Sequence, residues 1–332
     1  MKTSQNLPVD ADTLGRCGSR SLTGSLSVRR GFAFLAFAGI AWGTTGAAVE
    51  VIYRTSGLGP MAISFWRFLA GAELLLPAWA LRPARKAPRA PQPARRRVLL
   101  LAGTGVGLAV FQTAYFAAVR DTGLAVGTIV TLGAAPVCTA AGGRLFLGER
   151  MGRAGVLAVA GALAGLTVLV LGNQPGVVHP AGVAMALLSA AGYAVSNLLG
   201  RWTGRHGTGE DAFTLTLLSF LIGAAVMLPL AVHEGLVPQG GDLTEAALLM
   251  LYIAAVTTAL AYPLYFAGVA VLRAATASVM MLLEPVSAAV LAVLFLDEQL
   301  TAATVAGTVI LLGAIAALAL AESRLQAKPV VP

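Results

Sequence analysis

Charged residues are scarce in this sequence. Asp, Glu, Lys and Arg together make up 11% of the 332 residues, whereas 57% of the residues are hydrophobic. A soluble globular domain carries about 25% charged residues on average, because its surface has to interact with water. The shortage of charge therefore excludes an ordinary soluble protein and predicts a chain that lies in lipid.

Cysteine and histidine are also rare. Cys17 precedes the first long hydrophobic run and Cys138 lies within a later one, so we do not expect them to form a disulfide. His179, His206 and His233 fall in different connections or at the ends of hydrophobic runs. Nucleotide-binding P-loops and the HExxH and GxSxG motifs are missing as well. We therefore expect no metal, no cofactor and no catalytic residues.

What the sequence does contain is a series of long hydrophobic runs. A helix of about 20 residues crosses the ~30 Å hydrocarbon core of a bilayer, and in lipid the backbone must satisfy its own hydrogen bonds. These conditions predict an all-α membrane protein with ten transmembrane helices. The predicted spans are 31–52, 60–81, 98–119, 124–147, 153–171, 180–200, 212–232, 246–270, 274–296 and 301–321.

The net charge of +8 is distributed unevenly between these spans. If the N-terminus is cytoplasmic, 19 Lys and Arg residues lie in the inner segments, while Arg54 and Arg120 alone lie in the outer loops. Such an excess is typical of cytoplasmic loops and predicts that both termini are cytoplasmic. The dense basic run from 82 to 97 suits the anionic inner leaflet, so lipid is the expected partner and nucleic acid is not.

Two halves of the sequence resemble each other. PVCTAAGGRLFLGER at 136–150 returns as PVSAAVLAVLFLDEQ at 285–299, and FWRFLAGAELLLP at 65–77 returns as LLSFLIGAAVMLP at 217–229. Offsets of 149 to 152 residues over matched spans predict duplication of a five-helix unit. An odd number of crossings makes the second unit enter from the opposite side, which is the inverted-repeat plan of many secondary transporters. The predicted units are 31–171 and 180–321, flanked by a disordered cytoplasmic tail at 1–30 and a second tail at 322–332.

Three phrases of this pattern resemble a known family. AWGTTGAAVEVI near 41, ISFWRFLAGAELLLP near 63 and LEPVSAAVLAVLFLDEQLTAATVAGTVILLGA near 283 are similar to the EamA family of the drug/metabolite transporter superfamily. The resemblance implies a ten-helix transporter of the bacterial inner membrane, usually an exporter of metabolites such as amino acids or of toxic compounds.

Polar residues inside the spans are the candidates for a substrate site, because a polar side chain in lipid needs a cavity or a partner. Several of them fall on equivalent positions of the two halves, which favours one shared central space. Taken singly, each is better explained by helix packing or by an interfacial aromatic belt, and it is their joint correspondence that favours a cavity. The candidate substrate-binding residues are Trp42, Thr45, Gln112, Tyr115, Tyr193, Asn197, Tyr262 and Tyr265.

Glu284 and two prolines lie in the middle of predicted spans. Glu284 precedes Pro285, and a carboxyl group at this depth favours either proton coupling or a hydrogen bond to backbone groups freed by the proline. The equivalent residue in the first half is Ala135, so coupling through Glu284 would be asymmetric. Pro136 and Pro285 each remove a helical hydrogen bond and are the predicted hinges.

Two charged residues lie closer to the outer membrane surface. Glu50 and Arg67 lie at similar depth in the first and second spans, which predicts an ion pair, with separate solvation of each side chain as the alternative. Glu73 receives no role. The whole pattern favours a secondary transporter that acts by alternating access on small molecules, with the proton as the candidate coupling ion, over a passive facilitator or channel and over a membrane-embedded enzyme.

Overall fold

The computed structural model describes residues 12–81, 93–149, 152–171, 179–205, 211–240, 243–295 and 302–327. All regular structure in these ranges is helical, which confirms the predicted all-α membrane protein. The elements are α1 (Asp12–Ser56), α2 (Pro60–Ala80), α3 (Ala94–Phe146), α4 (Arg153–Leu171), α5 (Pro180–Arg205), α6 (Ala212–Glu234), α7 (Leu243–Tyr252), a π-helical segment (Ile253–Leu260), α8 (Ala261–Val271), α9 (Ala274–Met280), α10 (Leu283–Phe295) and α11 (Ala302–Ala327).

Six helical stretches are long and apolar enough to cross a membrane. They are Val28–Ser56, Pro60–Ala80, Ala94–Thr122, Pro180–Gly204, Ala212–Glu234 and Leu243–Val271. Shorter apolar stretches at Arg153–Val168, Ala274–Ala288 and Val305–Leu318 coincide with three more of the predicted spans, and the predicted span 124–147 corresponds to the second part of α3. The multi-pass character of the chain follows from these helices alone.

The first helix begins earlier than the sequence predicts. A disordered tail is expected up to residue 30, whereas α1 starts at Asp12. Once a helix exists, each added residue contributes one hydrogen bond, so an apolar span extends into polar sequence at little cost. Residues 1–11 and 328–332, which belong to the two predicted tails, lie outside the described residues.

Helix α3 contains two predicted spans and reverses direction between them. The hydroxyl groups of Tyr115 and Thr128 are 2.9 Å apart. In a straight helix, 13 residues would separate these positions by about 20 Å. A methyl group on Gly127 would lie 3.2 Å from the backbone nitrogen of Val119. The chain therefore turns back between these two contacts, and the two parts of α3 run side by side.

The predicted eighth and ninth spans are irregular, each in a different way. Residues Ile253–Leu260 form a π-helix between α7 and α8. The ninth span is interrupted at Met281 and Leu282, between α9 and α10. Pro285 has no N–H to donate to the carbonyl group of Met281, and the N–H of Glu284 donates to it instead at 3.0 Å.

The two predicted hinge prolines thus differ in local structure. Pro285 lies in the first turn of α10, directly after the interruption, whereas Pro136 lies inside the continuous helix α3. The repeated sequence suggests a helix break at both prolines. The structure has a break before Pro285 and none at Pro136. A hinge function of either proline stays a prediction.

Helices α2 and α6 pack against each other in a reciprocal way. The rings of Phe68 and Phe220 stack with their centroids 5.1 Å apart. A methyl group on Gly223 would meet the Phe68 ring at 2.9 Å, and one on Gly71 would lie 3.4 Å from the Phe220 ring. Each helix therefore provides a glycine for the aromatic ring of the other.

Glycines also bring α1 close to the second half of the chain. A methyl group on Gly43 would approach the backbone carbonyl of Glu284 to 2.6 Å, and one on Gly39 would meet the side chain of Leu283 at 3.0 Å. Small residues at such positions allow two helix backbones to approach closely. Helices α4 and α11 pack in the same manner, because Gly165 lies against the backbone of Gly307 and Leu311.

Candidate functional site

Four of the predicted substrate-binding residues form one group of aromatic rings in the middle of the bundle. The ring centroids of Trp42 and Tyr262 are 4.7 Å apart, and those of Trp42 and Tyr265 are 5.3 Å apart. Tyr193 approaches Tyr265 at 6.3 Å. We call Trp42, Tyr193, Tyr262 and Tyr265 the aromatic group. Because Tyr262 and Tyr265 are three residues apart, both rings lie on the same face of α8.

The π-helical segment contributes directly to the position of Trp42. The indole N–H of Trp42 donates to the backbone carbonyl of Thr257 at 2.8 Å. A π-helix shifts backbone groups out of regular α-helical register, and such segments occur frequently at functional sites. The hydroxyl oxygen of Thr258, the next residue, is buried and has no hydrogen-bond partner.

Several other polar atoms around the aromatic group also have no hydrogen-bond partner. Each is buried, and a buried polar atom without a partner costs about 1 to 3 kcal/mol. Buried polar atoms of this kind call for an explanation, and here several of them lie within one helical turn of a member of the aromatic group or in contact with it. Besides Thr258 Oγ1, the atoms are Thr45 Oγ1, Arg67 Nε and Asn197 Oδ1. The hydroxyl groups of Tyr193 and Tyr265 lie close to each other without a hydrogen bond of normal geometry.

Asn197, Gln112 and Ser196 are buried between helices. The side-chain amide of Asn197 donates to the carbonyl of Ala274 at 3.4 Å, while Gln112 is buried in α3. Ser196 donates to the carbonyl of Thr104 at 2.9 Å, which satisfies its hydroxyl within the α3–α5 contact. Asn197 lies one helical turn from Tyr193, and Thr45 lies one turn from Trp42, each with an unpaired oxygen, whereas Ser196 makes a packing contact. The role of Asn197, Thr45 and Gln112 in substrate binding stays a prediction.

Tyr115 does not belong to the aromatic group, although it is equivalent by sequence to Tyr265. Its ring lies 5.7 Å from that of Phe116, and its hydroxyl group is hydrogen bonded to Thr128 across the reversal of α3. It nevertheless lies within electrostatic range of Glu284. Its role in substrate binding stays a prediction.

Sequence reasoning did not assign Arg67 to this site. The predicted partner Glu50 has a side chain that lies outside the described part of the chain, so the ion pair stays a prediction. Arg67 itself is only 8% exposed, and its Nη2 donates to the hydroxyl of Tyr262 at 3.4 Å. Its guanidinium carbon lies 5.7 Å from the centre of the Phe68 ring. The repeat gives a sequence indication of this contact. Arg67 lies next to Phe68, and the equivalent of Phe68 in the second half, Phe220, contacts Tyr262.

Glu284 lies at the edge of the aromatic group, in the first turn of α10. Its side chain is half-buried, and its backbone carbonyl accepts a hydrogen bond from the Ser287 hydroxyl at 2.9 Å. Its carboxyl group is within electrostatic range of Arg67, Tyr193 and Tyr262. A titratable group therefore lies beside the candidate site, as proton coupling through Glu284 would require.

A second polar cluster lies at one end of the bundle, which we call the Arg201 end. Nε of Arg201 is 3.0 Å from a carboxylate oxygen of Glu149, and both side chains are 12% exposed. The other carboxylate oxygen of Glu149 accepts from the backbone N–H of Ala274 at 3.1 Å, and Arg201 also donates to the carbonyl of Ala270. The cluster joins the ends of α3, α5 and α8 to the start of α9.

Comparison with known proteins identifies the family. The model of the EamA-like transporter family matches residues 29–171 and again residues 180–320. The chain is 30% identical over 273 residues to YwfM of Bacillus subtilis, described as an uncharacterized transporter, covering 81% of this chain and 86% of that protein. It is 23% identical over 306 residues to YicL of Salmonella typhimurium, described as an uncharacterized inner membrane transporter, covering 91% of this chain and 99% of that protein.

The fold also occurs in solved structures. One crystal structure of a protein with 20% sequence identity has a TM-score of 0.73 and covers 91% of this chain and 99% of its own. At this identity the likeness concerns the fold. The two family matches and the relatives establish more, and the chain is a membrane transporter that belongs to the EamA-like transporter family.

Proposed function

We propose that the protein is a secondary transporter that exports small organic molecules, metabolites or toxic compounds, across the bacterial inner membrane by alternating access. The observation that carries this proposal is the set of unpaired polar atoms around the aromatic group. Atoms of this kind are costly inside a membrane protein, and a solute with an apolar body and a few polar groups would satisfy them.

Alternating access requires an inward-open and an outward-open conformation of similar energy. The reciprocal packing of the two halves supports such a pair of conformations. Gly71 and Gly223 contact Phe220 and Phe68 reciprocally, as expected where equivalent surfaces meet around a twofold axis. The family model also matches the two halves separately. We infer two five-helix units of inverted orientation, whose exchange of conformations opens the central site to either side in turn.

The proposed orientation places both termini and the Arg201 end in the cytoplasm, because Lys and Arg are concentrated in the segments on that side. The proposed direction is export, in accordance with the family resemblance. Proton coupling through Glu284 is part of the proposal, and its position beside the aromatic group supports this.

The test begins with the substrate. Metabolites secreted by cells that express the protein are compared with those of cells that lack it, and the enriched compound is loaded into vesicles containing the purified protein. We expect saturable flux and counterflow, in which preloaded unlabelled solute accelerates entry of labelled solute. Flux that neither saturates nor shows counterflow would identify a passive facilitator instead.

A further inference from the structure

Arg67 has the most demanding environment in the candidate site. Its guanidinium group is buried within α2, a helix long and apolar enough to span the membrane. A permanent positive charge in such a place is unfavourable unless anions or several hydrogen-bond acceptors surround it. Arg67 therefore has to be explained by what it contacts.

The contacts of Arg67 within the described residues leave much of its hydrogen-bonding capacity unused. A guanidinium group has five N–H donors arranged in a planar fork. One of them reaches the hydroxyl of Tyr262 at 3.4 Å, which is long for a hydrogen bond, and the Nε donor has no acceptor. The Phe68 ring lies near the guanidinium carbon but does not neutralise its charge.

The nearby acidic group does not fill this role either. Glu284 is within electrostatic range of Arg67, but the described residues contain no ion pair between them within 4.0 Å. Glu73, on the same helix, is exposed on a different face. The planar fork of an arginine matches the two oxygens of a carboxylate or the oxygens of a phosphate, and this pairing is stronger than one between neutral groups.

An apolar surface adjoins the guanidinium group on the other side of Tyr262. The Tyr262 ring lies 4.7 Å from Trp42 and 4.9 Å from Phe220, measured between ring centroids. Trp42 is the half-buried member of the aromatic group. A ligand whose anionic group reaches Arg67 would therefore place its body against Trp42 and Tyr262.

We propose that Arg67 binds an oxyanion group of the transported solute, a carboxylate or a similar singly charged group, and that the Tyr262 hydroxyl positions its guanidinium fork. This inference rests on the proposed function, because it concerns the same central site. It makes Arg67 the residue that selects anionic solutes over neutral analogues of the same shape.

The test uses the full-length purified protein and a panel of small aromatic and aliphatic monocarboxylates, each paired with its neutral amide. Benzoate with benzamide is one such pair. Binding is measured from the rise in thermal unfolding temperature with ligand concentration. We expect at least one carboxylate to bind tenfold or more tightly than its amide. The proposal is wrong if no carboxylate in the panel is preferred over its amide.

Variants then assign the preference to Arg67. Arg67→Met keeps a long apolar side chain but removes the charge, and we expect it to bind the carboxylate and the amide equally. Arg67→Lys should recover only part of the preference, because an ammonium group lacks the planar fork. Arg120→Met is the matched control, since it removes an exposed arginine, and it should keep the full preference. An undiminished preference in Arg67→Met would overturn the assignment.

Two further measurements cover the remaining outcomes. If Arg67→Met does not fold, Tyr262→Phe removes only the hydroxyl and should lower the carboxylate preference several-fold, and an unchanged preference would then refute the proposal. Counterflow separates this inference from the proposed function. A protein that shows saturable counterflow of a solute but no carboxylate preference is a transporter without the oxyanion site, whereas failure of counterflow itself contradicts the function.

Discussion

The two halves of the chain, 31–171 and 180–321, share their packing positions but differ at the residues that surround the candidate site. Gly71 and Gly223 have equivalent contacts, and so do Phe68 and Phe220. The residue before Phe68, however, is Arg67, whereas Ser219 precedes Phe220. The duplicated glycines and phenylalanines thus form the contact between α2 and α6, whereas the charged Arg67 has no charged equivalent.

Local structure differs between the halves in the same way. Ala135 and Pro136 lie within a continuous helix, whereas Glu284 and Pro285 follow an interruption. The π-helical segment likewise belongs to the second half, and its first-half equivalent in α3 is α-helical. The two charged residues of the candidate site therefore have no charged equivalent in the other half, since Arg67 belongs to the first half and Glu284 to the second. The predictions below test these differences between the halves.

The largest effect is expected for contacts that join the halves. Arg201→Met leaves the carboxylate of Glu149 buried without its cation, and this should lower the free energy of unfolding by about 3 kcal/mol. Arg120→Met breaks the ion pair with Asp121 within the first half. Because the Arg120 side chain is 80% exposed, the free energy of unfolding should change by less than about 1 kcal/mol. Chemical denaturation in detergent measures the free energy of unfolding of both variants. Equal losses would refute the prediction that the contact between the halves contributes more stability than the one within a half.

The next effect tests the close approach of α1 to α10. Gly43→Ala places a methyl group against the backbone carbonyl of Glu284, which cannot move aside as a side chain would, and should cost about 2 kcal/mol of stability relative to the control. Gly46→Ala is the control, because it makes the same change in helix propensity at a position where no atom lies within 4 Å of the added carbon. The difference in melting temperature between the two variants gives the cost, and similar values would contradict the predicted contact.

Coupling is expected to depend on the half that carries Glu284. Glu284→Gln should reduce flux driven by an imposed proton gradient at least tenfold, equivalent to about 1.4 kcal/mol in the barrier, while counterflow without a gradient continues. Glu73→Gln changes an exposed acidic residue and should leave gradient-driven flux intact. Vesicles with an artificial proton gradient provide the measurement. Normal gradient-driven flux in Glu284→Gln would exclude this residue from coupling.

The smallest effect distinguishes two equivalent tyrosines. Tyr115→Phe removes the hydrogen bond to Thr128 and should cost about 1 kcal/mol of stability. Tyr265→Phe removes a buried hydroxyl that has no hydrogen bond of normal geometry, so it should be neutral or slightly stabilising. Thermal unfolding of both variants in detergent is the measurement. A larger loss in Tyr265→Phe than in Tyr115→Phe would show that its hydroxyl has a partner in the folded protein.

Much of the architecture was predictable because hydrophobic length is a direct physical requirement of the bilayer. The predicted starts of α2, α4, α5 and α6 agree with the structure, since proline, arginine or a short polar connection precedes each apolar run. The start of α1 was predicted too late, because helix extension into polar sequence leaves no hydrophobic signal. The sequence predicted a short connection at 120–123 between two separate spans. In the structure these residues are helical and belong to α3.

The candidate site was only partly predictable. Residue type and repeat position predicted that Trp42, Tyr193, Tyr262 and Tyr265 face one space, and their rings do lie close together. The same reasoning also predicted Tyr115 as a substrate-binding residue, which stays a prediction; its hydroxyl is hydrogen bonded to Thr128, a contact that the repeat does not indicate. Sequence depth alone did not predict that Arg67 contacts Tyr262, because the depth of a residue along a helix does not determine which way its side chain points; the ion pair with Glu50 stays a prediction.

The sequence by itself determined that the chain is helical, crosses a membrane several times and resembles a transporter. Composition, run length and repeated phrases are properties of the chain that hold whatever the helices contact. Only the tertiary structure decided that Arg67 meets Tyr262, that Glu149 meets Arg201, and that Pro285 but not Pro136 follows a break. These outcomes depend on how helices far apart in sequence rotate and approach one another, and spacing along one helix does not contain that information.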